Sequence, residues 1–151
     1  MRIAALTSSL LTAVLALSTV SSAIAAPDAA IAKASKEKGA VVTPSGLVYL
    51  SLKDGTGASP SATDTVKVHY RGTLPDGKEF DSSYKRNAPA EFPLNRVIPC
   101  WTEGVQRMKI GGKAKLTCPS AIAYGERGAG DAIPPNATLL FEVELISIAG
   151  K

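Results

Sequence analysis

The run DTVKVHYRGTL (64–74) alternates: Val66, Val68 and Tyr70 fall on one face, Lys67, His69 and Arg71 on the other. This is the period-two pattern of a strand with one face buried and one in water. GLVYLSL (46–52) alternates in the same way, and the turn-rich KDGTGASPSATD (53–64) lies between the two. PDGK (75–78) predicts a turn, KEFDSSY (78–84) an extended piece and KAKLTC (113–118) a further strand. TLLFEVELISI (138–148) closes the pattern with Leu139, Phe141, Val143 and Leu145 on one face. One stretch changes period. In PCWTEGVQRMKIGG (99–112), Trp101, Val105 and Met108 recur at i, i+4 and i+7, with Pro99 suited to a first turn and Gly111-Gly112 to an end. A helix of about two turns cannot stand without a sheet to pack on. The sum is an α+β fold, several antiparallel strands wrapped on one short amphipathic helix, with no internal repeat.

The N-terminal stretch has a different character. Arg2 precedes an apolar run from about Leu10 to Leu17, and Ala23-Ile24-Ala25 offers a small-x-small cleavage pattern. A membrane anchor is the competing reading. The run is too short and too rich in Ser and Thr to span comfortably, so residues 1–25 are expected to be a cleaved signal peptide and the mature protein periplasmic or secreted. No cysteine sits at the cleavage point, so no lipid anchor is expected. Residues 26–44 are Ala- and Lys-rich and read as a flexible leader, at most a frayed helix over Asp28–Lys38, with the folded domain at 45–151. The formal net charge of +4 is mild and interspersed, and the aromatics are too few and scattered for a stacking platform, so nucleic acid is not an expected partner.

Candidate chemistry is sparse. Cys100 and Cys118 are the two cysteines, which in an exported chain read first as a disulfide and second as two buried thiols. With the single histidine, His69, they fall short of a closed zinc shell. No nucleophile elbow, phosphate loop or dinucleotide fingerprint is present, so neither covalent nor metal catalysis is supported and no cofactor is expected. What remains is an apolar and aromatic set: Tyr70, Phe80, Phe92, Val97, Ile98, Trp101, Tyr124, Ile133 and Phe141. Such residues in a small domain are by default core. Two features favour a pocket. Trp101 opens the helix, and Tyr124 leads the glycine-rich AYGERGAGDAIPPNA (123–137), a loop able to adjust around a ligand.

Four blocks then carry a resemblance: VHYRGTLPDGKEFDSS (68–83), VIPCWTEGVQRMKIGGKAKL (97–116), AYGERGAG (123–130) and IPPNATLLFEVELISI (133–148). In order and spacing they are similar to the FKBP-type peptidyl-prolyl cis-trans isomerases, over about residues 45–148. GAVVTPSGLVY (39–49) resembles the exported bacterial branch that includes the macrophage infectivity potentiator proteins. Those carry a long N-terminal dimerisation helix; here about 20 residues precede the domain, so a monomer is the expectation. The resemblance implies a half-wrapped antiparallel sheet around the short helix, with a pocket floored by Trp101. Tyr70, Phe80, Phe92, Val97, Ile98, Ile133 and Phe141 would be its walls, and Val97 and Ile98 would also offer backbone groups. It further implies Asp81 as the pocket carboxylate, Tyr124 as the hydroxyl aimed at a substrate carbonyl, and Arg86 as the residue holding Asp81 and Tyr70. The implied partners are unfolded or proline-containing polypeptides and macrolides of the FKBP-ligand type. Three residues depart from the family pattern. Ala90 stands where an aromatic wall is common, Ala132 replaces a larger aliphatic, and Cys100 stands where glycine is usual. A pocket loosened by the first two would suit a rival function, a periplasmic holdase with little isomerase activity.

Overall fold

The computed structural model describes residues 28–151, so the signal-peptide expectation lies outside the described residues. In chain order the elements are α1 (Ala29–Ser35), β1 (Val41–Val42), β2 (Val48–Lys53), β3 (Thr65–Thr73), β4 (Glu79–Ser82), β5 (Ala90–Pro93), α2 (Pro99–Gln106), β6 (Lys113–Cys118) and β7 (Leu139–Ile148). Short 3-10 turns follow β4 at Tyr84–Arg86 and β5 at Leu94–Arg96, and two more, Ser120–Ile122 and Gly125–Arg127, lie between β6 and β7.

The strands form one antiparallel sheet in the order β1-β2-β6-β7-β3-β4, and β5 also pairs with β3. β3 is the organiser. One edge lies along β7, with Tyr70 opposite Val143 and Gly72 opposite Phe141. Its other edge is shared: β5 takes Thr65–Val68, and β4 takes Arg71–Thr73. Ser83 fills the gap between them. Its N–H donates to the Tyr70 carbonyl at 3.0 Å and its Oγ accepts from the Tyr70 N–H at 2.8 Å. A buried strand edge is thereby satisfied without a strand.

The inward faces follow the alternation. Val66, Val68, Tyr70, Leu116, Leu139, Phe141, Val143 and Leu145 all lie in the core, together with Trp101, Val105 and Met108 from the helical stretch. α2 stops at Gln106, a turn earlier than the sequence pattern ran, yet Met108 keeps its inward place with 2% exposure. Cys100 and Cys118 are joined by a disulfide, Cα atoms 5.8 Å apart, and both are fully buried. The bond fastens the start of α2 to the end of β6.

Two pieces ahead of Ser45 also belong to the fold. β1 pairs with β2. α1 is capped by Asp28, whose carboxylate accepts the Ala30 N–H at 2.9 Å, and it docks on the sheet through buried Ala34. Asp28 also accepts a hydrogen bond from the Thr138 hydroxyl, and Glu37 pairs with Lys115. A helix this short is marginal alone; these tertiary bonds hold it. No helix among the described residues is long and apolar enough to cross a membrane.

Candidate active site

Between α2, β3, β4, β5 and the Tyr124 loop lies an open cavity of about 450 Å³. It is lined by Tyr70, Phe80, Asp81, Phe92, Arg96, Val97, Ile98, Trp101, Tyr124 and Phe141. Eight of the nine apolar and aromatic residues singled out in the sequence are therefore gathered here. Ile133 is not among them. It is 5% exposed and belongs to the core, where it exchanges hydrogen bonds with Ala129 at 2.9 and 3.0 Å.

Trp101 is the base of the cavity, 4% exposed. Tyr70, Phe92 and Phe141 stand nearly perpendicular to it, ring centroids 5.2, 5.6 and 5.4 Å away. Phe80 meets Phe141 in the same manner at 5.5 Å. Edge-to-face packing at these separations fixes ring orientations beyond what burial alone achieves. The Trp101 Nε1 is buried with no hydrogen-bond partner among the described residues. At the start of α2, the Ile98 carbonyl accepts from the Trp101 and Thr102 N–H groups, while the Ile98 N–H has no backbone acceptor among the described residues. A free donor thus sits on the cavity wall.

The polar corner is a closed triad. The Tyr70 hydroxyl donates to Asp81 Oδ2 at 2.5 Å, Arg86 Nη1 donates to Asp81 Oδ1 at 2.8 Å, and Arg86 Nη2 donates to the Tyr70 oxygen at 2.8 Å. Arg86 is half exposed and reaches the cavity through these two lining residues, Tyr70 and Asp81. Burial works to raise the Asp81 carboxyl, but the hydrogen bonds from Tyr70 and Arg86 outweigh it and hold the group below its usual range. Burial, reinforced by the Asp81 bond, pushes the Tyr70 hydroxyl up. At neutral pH Asp81 is ionised, and its two oxygens accept from Tyr70, Arg86 and the Ser82 N–H. It is an oriented charge rather than a proton donor.

Tyr124 stands at the mouth, 41% exposed. The loop behind it is tied, not slack. The Asn136 N–H donates to the Gly125 carbonyl at 2.8 Å, and the Ala129–Ile133 pair crosses the loop. A Cβ on Gly128 would lie 2.2 Å from the Ile133 carbonyl oxygen, and its φ is +62°. Glycine is required there for a tight backbone approach.

The two alanines that depart from the family pattern lie off the cavity: Ala90 is half-buried in β5 opposite Val68, and Ala132 is exposed in the loop. Two residues escaped the sequence reading. Arg96 lines the cavity. Gly72 is the second: a Cβ there would meet Phe80 Cζ at 2.5 Å and Phe141 Cε1 at 2.9 Å. A glycine in the middle of a strand is itself the signal that something packs close. Among the described residues no cluster of His, Cys, Asp or Glu could hold a metal ion.

An aromatic cavity between a half-wrapped sheet and a short helix, with an Asp–Tyr–Arg corner, agrees with what family comparison finds. Residues 57–146 match the model of the FKBP-type peptidyl-prolyl cis-trans isomerases, and the chain belongs to that family. It is 59% identical over 118 residues to the FKBP-type peptidyl-prolyl cis-trans isomerase FkpA of Aeromonas hydrophila, which covers 78% of this chain and 44% of that one. Against the FKBP-type 22 kDa isomerase of Escherichia coli K12 the identity is 54% over 113 residues, covering 75% and 55%. Among solved structures, FkpA from E. coli matches with a TM-score of 0.76 at 51% identity, over 78% of this chain and 55% of that one. A peptidyl-prolyl cis-trans isomerase from Pseudomonas syringae pv. tomato matches with a TM-score of 0.75 at 42% identity, over 80% and 88%. The chain spans about half the length of the two relatives compared by sequence.

Proposed function

We propose that the protein accelerates cis–trans isomerisation of X-Pro bonds in unfolded or partly folded polypeptides, outside the cytosol. The observation that carries this is the open aromatic cavity on Trp101, roomy enough for a proline ring and its flanking backbone, and lined by one free backbone donor and one ionised carboxylate held by Tyr70 and Arg86. The Cys100–Cys118 disulfide and the signal-like residues 1–25 support an oxidising, exported setting.

No bond has to be made or broken. The barrier to turning an X-Pro amide, roughly 18–20 kcal/mol, comes from resonance, and uncatalysed exchange takes on the order of tens to hundreds of seconds. A twisted amide has lost that resonance and its carbonyl is less polar, so apolar walls favour it over the planar form, which prefers water. The Ile98 N–H and the Tyr124 hydroxyl are donors for the carbonyls flanking the proline, and Asp81 sets the field at the wall. A barrier lowered by about 5 kcal/mol corresponds to several thousandfold in rate.

The test is a proline-limited refolding assay at substoichiometric protein. Acceleration is expected, reduced about three- to tenfold in Tyr124→Phe, the worth of one neutral hydrogen bond. Asp81→Ala, which strands Arg86 and Tyr70, is expected to lose more. Suppressed aggregation with no acceleration would leave a holdase in place of an isomerase.

A further inference from the structure

Of the ten residues lining the cavity, two carry formal charge, Asp81 and Arg96. Asp81 has its own cation, Arg86, at 2.8 Å. Arg96 has no carboxylate within ion-pair distance among the described residues, whose pairs all involve other cations, and it is exposed. The backbone that presents it is fixed. Leu94 is fully buried, its N–H donates to the Asp64 carbonyl at 2.9 Å, and its own carbonyl accepts the Thr102 hydroxyl at 2.6 Å. Arg96 ends the turn that follows. Val97 then runs extended, φ −112° and ψ 174°, into Ile98, and both line the cavity. An unneutralised guanidinium therefore stands on the rim beside the wall segment that carries the free Ile98 donor. A rim cation of this kind recruits negative charge and selects against positive charge.

We propose that Arg96 determines substrate preference by selecting polypeptide segments that carry an Asp or Glu side chain next to the proline. This rests on the reading that the cavity takes a prolyl segment. The guanidinium can hold a carboxylate through two parallel N–H donors, which a lysine cannot do. The pair lies in solvent at the rim, so its worth is that of an exposed ion pair. It amounts to roughly two- to fivefold in kcat/KM at low ionic strength and fades as salt rises.

The experiment compares short peptides with Glu, Gln or Lys immediately before the proline, and a second set with the same residues immediately after it. The readout is the ratio of kcat/KM for Glu over Gln and for Lys over Gln, which does not depend on how much activity a variant retains. In the unaltered protein at least one set is expected to show Glu favoured and Lys disfavoured, with both ratios moving towards one at high salt. Arg96→Gln is expected to bring the ratios to one, Arg96→Glu to invert them, and Arg96→Lys to keep part of the preference. Ratios that are the same in all four proteins, or that ignore salt, overturn the proposal. If no peptide is isomerised, it is the enzyme reading that fails. Titration of the same peptides against the fluorescence of Trp101, the single tryptophan, then decides the charge preference on binding alone.

Discussion

Replacing Cys100 and Cys118 together by alanine removes a covalent tie between the start of α2 and the end of β6. The two positions are 18 residues apart in sequence, and both side chains are fully buried. In the chain-entropy model, freeing a loop of that length returns about 3 kcal/mol of freedom to the unfolded chain. For a domain of this size each kcal/mol corresponds to about 4 °C in the unfolding midpoint, so a fall of roughly 12 °C is expected. Calorimetry should show it, with urea unfolding at 25 °C giving a similar loss and a somewhat steeper dependence on denaturant, because the unfolded chain without the cross-link exposes more surface. The isomerisation rate measured well below the new midpoint should stay within about twofold, because Trp101 is still held by three perpendicular rings and by its backbone N–H, which donates to the Ile98 carbonyl at 2.9 Å. A loss under about 1 kcal/mol would refute the entropic account, since it would mean that packing alone already confines the loop. A collapse of the rate with the fold intact would refute the claim that the rings fix the cavity floor.

Gly72→Ala forces a methyl against Phe80 and Phe141, an overpacking expected to cost about 1–3 kcal/mol and to raise KM more than it lowers kcat; a KM unchanged beside a normal melting curve would show that Gly72 does not shape the wall. The Asp81 carboxyl sits below its ordinary range in the folded state, so its stabilising contribution is complete above that range and is lost as pH falls through the folded value. Activity should therefore be flat across neutral pH and fall only in acid, and Asp81→Asn should remove that acid limb from the pH–rate profile, whatever its effect on the plateau.

β3 and β7 were legible because each has one wet and one buried face, and alternation is the direct record of that. β5 was not: the four residues Ala90–Pro93 carry no period, and the pairing with β3 is what makes them a strand. β1 and the docking of α1 were hidden for a related reason. Composition marks residues 26–44 as poor in anything to bury, and what holds the helix is Asp28 and Glu37 finding Thr138 and Lys115, partners some eighty or more residues away. In the site, the aromatic residues stood out by type and by the family blocks, whereas the burial of Ile133 depends on how the loop folds back on Ala129. Arg96 carries no pattern in one dimension. Its meaning comes from standing on a rim with no anion beside it.

The placement of α1 has a consequence for how the molecule can be held. Along β6, Ala114 and Leu116 turn toward α2 and the core, so Lys115, the residue that grips Glu37, points from the opposite face. The sheet is thus a partition, with α1 on one side and the aromatic cavity on the other. A tether attached ahead of Asp28 draws on the back of that partition. If the cavity takes a prolyl segment as proposed, that segment lies on the front, across the sheet from such a tether.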